Sequence, residues 1–253
     1  MIDSKGLFKK ELKKILCQAS LFFYRGQPVE DWPAFLGRFC EITIPRGIRR
    51  RKIPEPRGSS NLNIIFELLK RTGEIEGDLA ECGVFRGESL IPMAVYLKQT
   101  GGKKTLFGLD SFEGFDESVY QDIRLGGEED REKRVKGFSQ TSLEYVQNKL
   151  KTFEVESQVQ LIAGFFQQTL SSIRNRRFSF VHLDCDLYES YKVCLDFFYE
   201  HLSRGGIILL DEYNDPHWPG CKKAVNEFLS AKGERVFEIE RDNFIKYYLC
   251  RSS

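Results

Sequence analysis

Between Phe178 and Glu212 the chain carries two apolar runs rich in β-branched and aromatic residues, FSFVHLD and GGIILLDEY, each leading into acids. Such runs suit strands of a parallel sheet buried on both faces. The link between them, roughly Tyr188 to Leu202, is long enough for a crossover helix, which makes the segment a βαβ unit. Ligands of open α/β sheets gather outside the carboxyl ends of the strands. Asp184 and Asp186 after the first run and Asp211 and Glu212 after the second therefore converge on one crevice. Carboxylates that close repel unless positive charge lies between them. A hard divalent cation such as Mg²⁺ is the natural partner. Acids here also begin solvated loops or cap helices, but two clusters on consecutive strand ends favour the cation.

The rest of the chain extends this pattern. GDLAEC (77–82), KKTLFGLD (103–110) and VQLIAG (159–164) read as strands, with helices over 86–101, over SQTSLEYVQNKLKTF and in a short piece from Gln167 to Ile173. GCKKAVNEFLSAKG is a further helix. RVFEIE (235–240) and FIKYYLCR (244–251) lie too close for a helical crossover, so they form an antiparallel hairpin. The total is seven strands, five in β-α alternation and two in a closing hairpin. Residues 1–59 read as an N-terminal extension, helical and then irregular, serving as a lid or a dimer contact; 60–253 form the α/β domain. Residues 113–138 are polar and too long for a simple connector, as a lid would be.

Composition narrows the classes. With 253 residues, 41% hydrophobic, the chain suits one α/β domain with added segments. A net charge of +1 gives no global reason to expect nucleic acid. A basic cluster from Arg46 to Arg57 reads either as a solvated connector or as an anion contact. Seven cysteines without a CxxC pair are expected to be reduced, and the compartment cytoplasmic. No stretch approaches the roughly 20 apolar residues of a membrane span. Leu7, Leu12, Ile15 and Leu16 outline a short amphipathic helix.

The first strand runs into Glu81-Cys82-Gly83-Val84-Phe85-Arg86-Gly87-Glu88-Ser89, a G-x-x-x-G-x-S spacing that opens a helix. Gly83 permits a tight turn and Gly87 close approach of a ligand, while the helix N-terminus favours a negative group. The spacing is not G-x-G-x-x-G, and no P-loop lysine follows. Asp110 ends the second strand, where an acid can hold ribose hydroxyls; Ser111 and Phe112 follow it. Gly164-Phe165-Phe166 reads as a glycine turn with either core aromatics or an adenine wall. His182 is in phase with Asp184, so it either hydrogen-bonds a carboxylate or substrate at the cleft or serves structurally. Tyr213, His217 and Trp218 form either an acceptor wall or a packed loop.

The motifs AECGVFRGES, GLDSFEGF, AGFFQQTL, HLDCDLYES, RGGIILLDEY and PGCKKAVNEF, in this order, resemble the macrocin O-methyltransferase family over residues 60 to 251. These bacterial enzymes use S-adenosylmethionine to methylate sugar hydroxyls of natural products. The resemblance implies the class I methyltransferase fold, a Rossmann-like seven-stranded sheet, mostly parallel with an antiparallel C-terminal hairpin strand and helices on both faces. It implies that Glu81, Gly83, Val84, Phe85, Gly87 and Ser89 surround the methionine end of the cofactor and that Asp110 holds the ribose. Ser111, Phe112, Gly164 and Phe165 would lie near the adenosine. Asp184, Asp211 and Glu212 would bind Mg²⁺, with Asp184 also near the cofactor and taking the acceptor's proton; His182, from its phase with Asp184, is the second catalytic candidate. Many members carry Asp-Asp where this chain has Asp211-Glu212, and a Thr-Met stretch where it has RRRKIPEPRGSS.

The acceptor implied is a small-molecule hydroxyl, a sugar among the candidates. Other acceptors (a catechol, a lipid-linked glycan or an amine) and a non-catalytic nucleoside-binding module are the alternatives. The glycine spacing and the terminal hairpin oppose a nicotinamide dehydrogenase.

Overall fold

The computed structural model describes residues 58–115, 138–241 and 243–252. Residues 1–57 of the expected N-terminal extension, with the amphipathic helix and basic cluster read there, and most of the lid candidate lie outside the described residues; residues 58 and 59 already belong to the first helix.

Seven strands form one sheet: β1 (Asp78–Cys82), β2 (Leu106–Asp110), β3 (Val159–Ala163), β4 (Phe178–Leu183), β5 (Leu202–Leu210), β6 (Phe237–Arg241) and β7 (Phe244–Cys250). Their order across the sheet is β3-β2-β1-β4-β5-β7-β6. β1 to β5 pair in parallel, whereas β7 pairs antiparallel with both β5 and β6. The expected strand count and closing hairpin are therefore present. The hairpin's second strand, β7, inserts beside β5, leaving β6 at the edge.

All six residues of β4 are buried, as its unbroken apolar run requires of a central strand, whereas β3 at the edge has none fully buried. Helices cover both faces. α1 (Gly58–Arg71), α2 (Leu90–Thr100) and α3 (Leu143–Thr152) pack a core with Ile64, Leu68, Leu90, Met93, Leu150 and Phe180. On the other face, α5 (Tyr188–His201) and α6 (Pro219–Lys232), with a four-residue α4 (Phe166–Thr169) nearby, cover Val181, Ile208, Phe198 and Phe228. Burying each such side chain contributes about 1.5–3 kcal/mol.

Local chemistry sets the element ends. Ser142 caps α3 by accepting from the Tyr145 amide at 3.1 Å. Pro219 begins α6, where its missing N–H costs nothing. The second helix starts at Leu90, four residues after the Arg86 expected from sequence, because residues 85–89 are occupied by a turn. Asp186 does not cap α5: Leu187 holds the N-cap place without a side-chain bond.

The strand order reverses at β1, which lies between β2 and β4. A crevice opens outside the carboxyl ends of strands at such a reversal, and the loops after β1 to β5 line it.

Candidate active site

The crevice is a cleft of ≈ 480 Å³. The β1 loop contributes Gly83, Val84, Phe85 and Ser89; the β2 loop contributes Asp110 and Ser111; the β3 loop contributes Gly164 and Phe165. Asp184 and Asp186 come from the β4 loop and Asp211 and Glu212 from the β5 loop. Glu81, Gly87, Phe112 and His182 are not part of its lining.

The backbone explains this division. Gly83 has φ 90°, and a Cβ there would lie 1.7 Å from the Asp184 carbonyl oxygen. The residue is thus demanded by the approach of the β1 and β4 ends. Gly87, at φ 78°, faces inward, where a Cβ would meet Ile91 Cδ1 at 3.1 Å. Close approach of a ligand was the reading from sequence; the near neighbour is the helix interior. Phe85 sits at φ 47°, a strained place for a residue with a side chain. In that conformation the Val84 and Phe85 amides donate to Asp110 Oδ2 at 2.8 and 2.7 Å. The Phe112 amide donates to Asp110 Oδ1 at 2.7 Å, with Phe112 itself buried. Asp110 thereby ties the β1 and β2 loops together. Ser111 donates to the Gly114 carbonyl at 2.6 Å.

Beneath the cleft runs a line of buried polar groups. Ser89 donates to Glu81 Oε1. His182, with no solvent exposure, places Nδ1 2.9 Å from Glu81 Oε1 and Nε2 3.4 Å from Asp211 Oδ1. Lys246 on β7 lies 2.6 Å from Asp211 Oδ1 and donates to the Asp211 carbonyl at 2.7 Å. Asn61 of α1 donates to the same Oδ1 at 3.3 Å. Tyr191 donates to Glu212 Oε2 at 2.7 Å. Glu81 Oε2 is buried and has no partner within the described residues.

Burial opposes charge on His182, but hydrogen bonds to Asp211 and Glu81 prevail, and its pKa is pushed up to about 10. Atoms of His182, Asp184 and Asp211 come within 4.8 Å of one another, and the two ring nitrogens of His182 face the carboxylates of Glu81 and Asp211. Burial likewise works against Asp211, yet Lys246 and His182 hold its carboxyl far below the usual range. Desolvation and the neighbouring Asp211 raise half-buried Asp184 to about 6. Burial and the neighbouring Asp184 and Asp211 push Glu212 well above its ordinary value.

Aromatic side chains wall the mouth. Phe115 and Phe138 have ring centroids 4.8 Å apart, and Trp218 lies 6.1 and 6.2 Å from them. Phe85 lies 5.6 Å from Phe138. Of the loop residues weighed from sequence as an acceptor wall, Trp218 lines the cleft, while His217 turns back to Asp215 and Tyr213 bonds Asn226. Sequence reading missed Lys246, Asn61, Phe115 and Phe138. The signal for Lys246 was a cation inside the apolar strand FIKYYLC.

Residues 58–248 match the family model described as Macrocin-O-methyltransferase (TylF). The chain belongs to this family. It is an S-adenosylmethionine-dependent O-methyltransferase of natural-product biosynthesis. Over 240 residues it is 29% identical to the 8-demethyl-8-(2,3-dimethoxy-alpha-L-rhamnosyl)-tetracenomycin-C 4'-O-methyltransferase of Streptomyces olivaceus, covering 91% of this chain and 87% of that one. Over 191 residues it is 29% identical to the mycinamicin III 3''-O-methyltransferase of Micromonospora griseorubida, covering 72% of each. Among solved structures, that of the O-methyltransferase NovP superposes with a TM-score of 0.64 at 27% identity, covering 78% of this chain and 81% of that one. The sheet order with its antiparallel C-terminal hairpin is that of the class I methyltransferase fold.

Proposed function

We propose that this enzyme methylates a hydroxyl of a sugar carried by a small natural product, with Mg²⁺ assisting and Asp184 accepting the proton. The observation that carries this reading is the position of Asp184. Its backbone packs against Gly83 of the cofactor loop, and it lines the same cleft as Asp211 and Glu212. The relatives named above act on a rhamnosyl tetracenomycin and on mycinamicin III.

The cleft residues suit the two bound groups. Asp110 and the Gly83 turn, both in the cleft lining, are our candidates for the ribose and methionine contacts, and Glu81 Oε2, buried beneath the cleft, has no partner among the described residues. The carboxylates of Asp184, Asp211 and Glu212, all in the cleft lining, are hard oxygen donors of the kind Mg²⁺ takes. S-adenosylmethionine, when bound, supplies a methyl carbon on a sulfonium that needs no further activation. Mg²⁺, when bound, lowers the pKa of a coordinated hydroxyl and fixes its direction.

The protein's own residues do the rest. Asp110 holds the β1 loop in its strained shape, which fixes the cofactor's place relative to Asp184. His182 and Lys246 keep Asp211 ionised and immobile. Asp184, raised toward the working pH, is matched to taking a proton from a sugar hydroxyl. Phe115, Phe138 and Trp218 offer apolar faces on which a sugar ring can stack and from which water is excluded. Much of the rate then comes from alignment.

The test is mass spectrometry of a panel of neutral glycosides incubated with enzyme and S-adenosylmethionine. A gain of one methyl group on a sugar, lost in Asp184→Asn, is expected. Methylation confined to catechols or amines would overturn the acceptor assignment.

A further inference from the structure

Lys246 enters the reading above only by steadying Asp211, and its geometry says more. The β5–β7 register pairs Leu210 with Tyr247, so the next step along the ladder sets Asp211 opposite Lys246. The lysine is only 7% exposed, and its ammonium makes both a side-chain ion pair and a backbone hydrogen bond with Asp211. A lysine is rarely buried to this degree without a paired charge. The cleft it borders holds Asp184, Asp186, Asp211 and Glu212, and none of the described residues lining that cleft is a lysine or arginine.

We propose that Lys246 is a resident counter-cation of the acidic centre, a positioning residue that assembles Asp211 before any divalent ion arrives and that competes electrostatically with it. This rests on the reading of Asp184, Asp211 and Glu212 as the cation site. The ammonium and a divalent ion answer the same repulsion among the same carboxylates. With the ammonium in place, the centre has one fewer net negative charge to offer Mg²⁺. His182 bridges Asp211 to Glu81, and neither His182 nor Glu81 is part of the cleft lining. Metal binding is accordingly weak in the native enzyme, and Asp211 stays ordered when metal is absent. Removing the ammonium raises the negative charge of the centre by one and makes its order depend on the external cation.

The experiment is calorimetric titration of MgCl₂ into chelator-treated, S-adenosylhomocysteine-saturated wild type, Lys246→Met and Lys246→Arg. The methionine variant keeps the side-chain length without charge, and the arginine variant restores charge. Lys246→Met is expected to bind Mg²⁺ at least tenfold more tightly than wild type, and Lys246→Arg within about threefold of it. Unfolding midpoints should rise more with Mg²⁺ in Lys246→Met than in wild type. Tight binding in the variant with none in wild type supports the proposal and removes Mg²⁺ from the native reaction. Equal affinity in all three overturns it and leaves the Mg²⁺ reading standing. Absence of Mg²⁺ binding in all three overturns both. Should Lys246→Met not fold, Lys246→Gln makes the same neutral comparison while still able to donate to Asp211.

Discussion

Gly83 and Asp184 approach each other so closely that a Cβ on Gly83 would stand 1.7 Å from the Asp184 carbonyl oxygen. This contact joins the β1 loop to the carboxyl end of β4, where Asp184 lies, so one cannot move without the other. Gly83→Ala must displace backbone, and it also strains a φ of 90°. Strain of this kind alone costs about 1–3 kcal/mol. Urea unfolding should show a loss of at least that size, with S-adenosylhomocysteine affinity reduced more than tenfold. Gly101→Ala, also at positive φ but with nothing within 4 Å, should cost less and leave cofactor binding intact.

Asp110 is bound to three amides, those of Val84, Phe85 and Phe112. Asp110→Ala frees the strained loop as well as removing the acid proposed to hold the ribose. Cofactor affinity measured by calorimetry should fall at least tenfold. Ser111→Ala, which loses one hydrogen bond to Gly114, should change it by less than threefold.

His182 carries its proton through neutral pH because its folded pKa, about 10, exceeds the unfolded value. A raised pKa means that the folded state binds the proton more tightly. The resulting stabilisation is present in full below about pH 6.5 and is lost as pH rises through about 10. The stability difference between wild type and His182→Gln should therefore shrink between pH 8 and 10.5. A difference that grows over that interval would contradict the shared-cation arrangement.

Trp218 stands in the aromatic wall of the cleft. Trp218→Ala should raise the acceptor's KM roughly tenfold, the loss of about 1.4 kcal/mol of stacking and burial. The KM for S-adenosylmethionine should change by less than twofold, since the residue lies on the β5 side of the cleft.

Much of this arrangement was legible in the chain. Link lengths and apolar runs gave the seven strands and the closing hairpin, because short links forbid crossovers and buried parallel strands need continuous apolar sequence. The acids at the β4 and β5 ends were readable because ligands of such sheets sit at strand ends. His182 was placed in phase with Asp184, and it does hydrogen-bond a carboxylate, from a position with no exposure to the cleft. Lys246 was not readable: its partner lies 35 residues away, and only the β5–β7 register brings the two together. Nor was the reason for Gly83, since the atom that forbids a side chain there belongs to a strand end about 100 residues further on. Phe115 and Phe138 flank a long polar segment, and nothing in local spacing says that their rings meet.

The most direct test is thermal unfolding with S-adenosylhomocysteine, with and without Mg²⁺, in wild type and Asp184→Ala. At about one hundred times its dissociation constant the nucleoside should stabilise the protein by roughly 2.7 kcal/mol. In wild type Mg²⁺ should raise the midpoint further, and in Asp184→Ala that added rise should vanish while the nucleoside shift remains. A Mg²⁺ increment that survives the loss of Asp184, or is missing from wild type, would contradict metal-assisted methyl transfer at this centre.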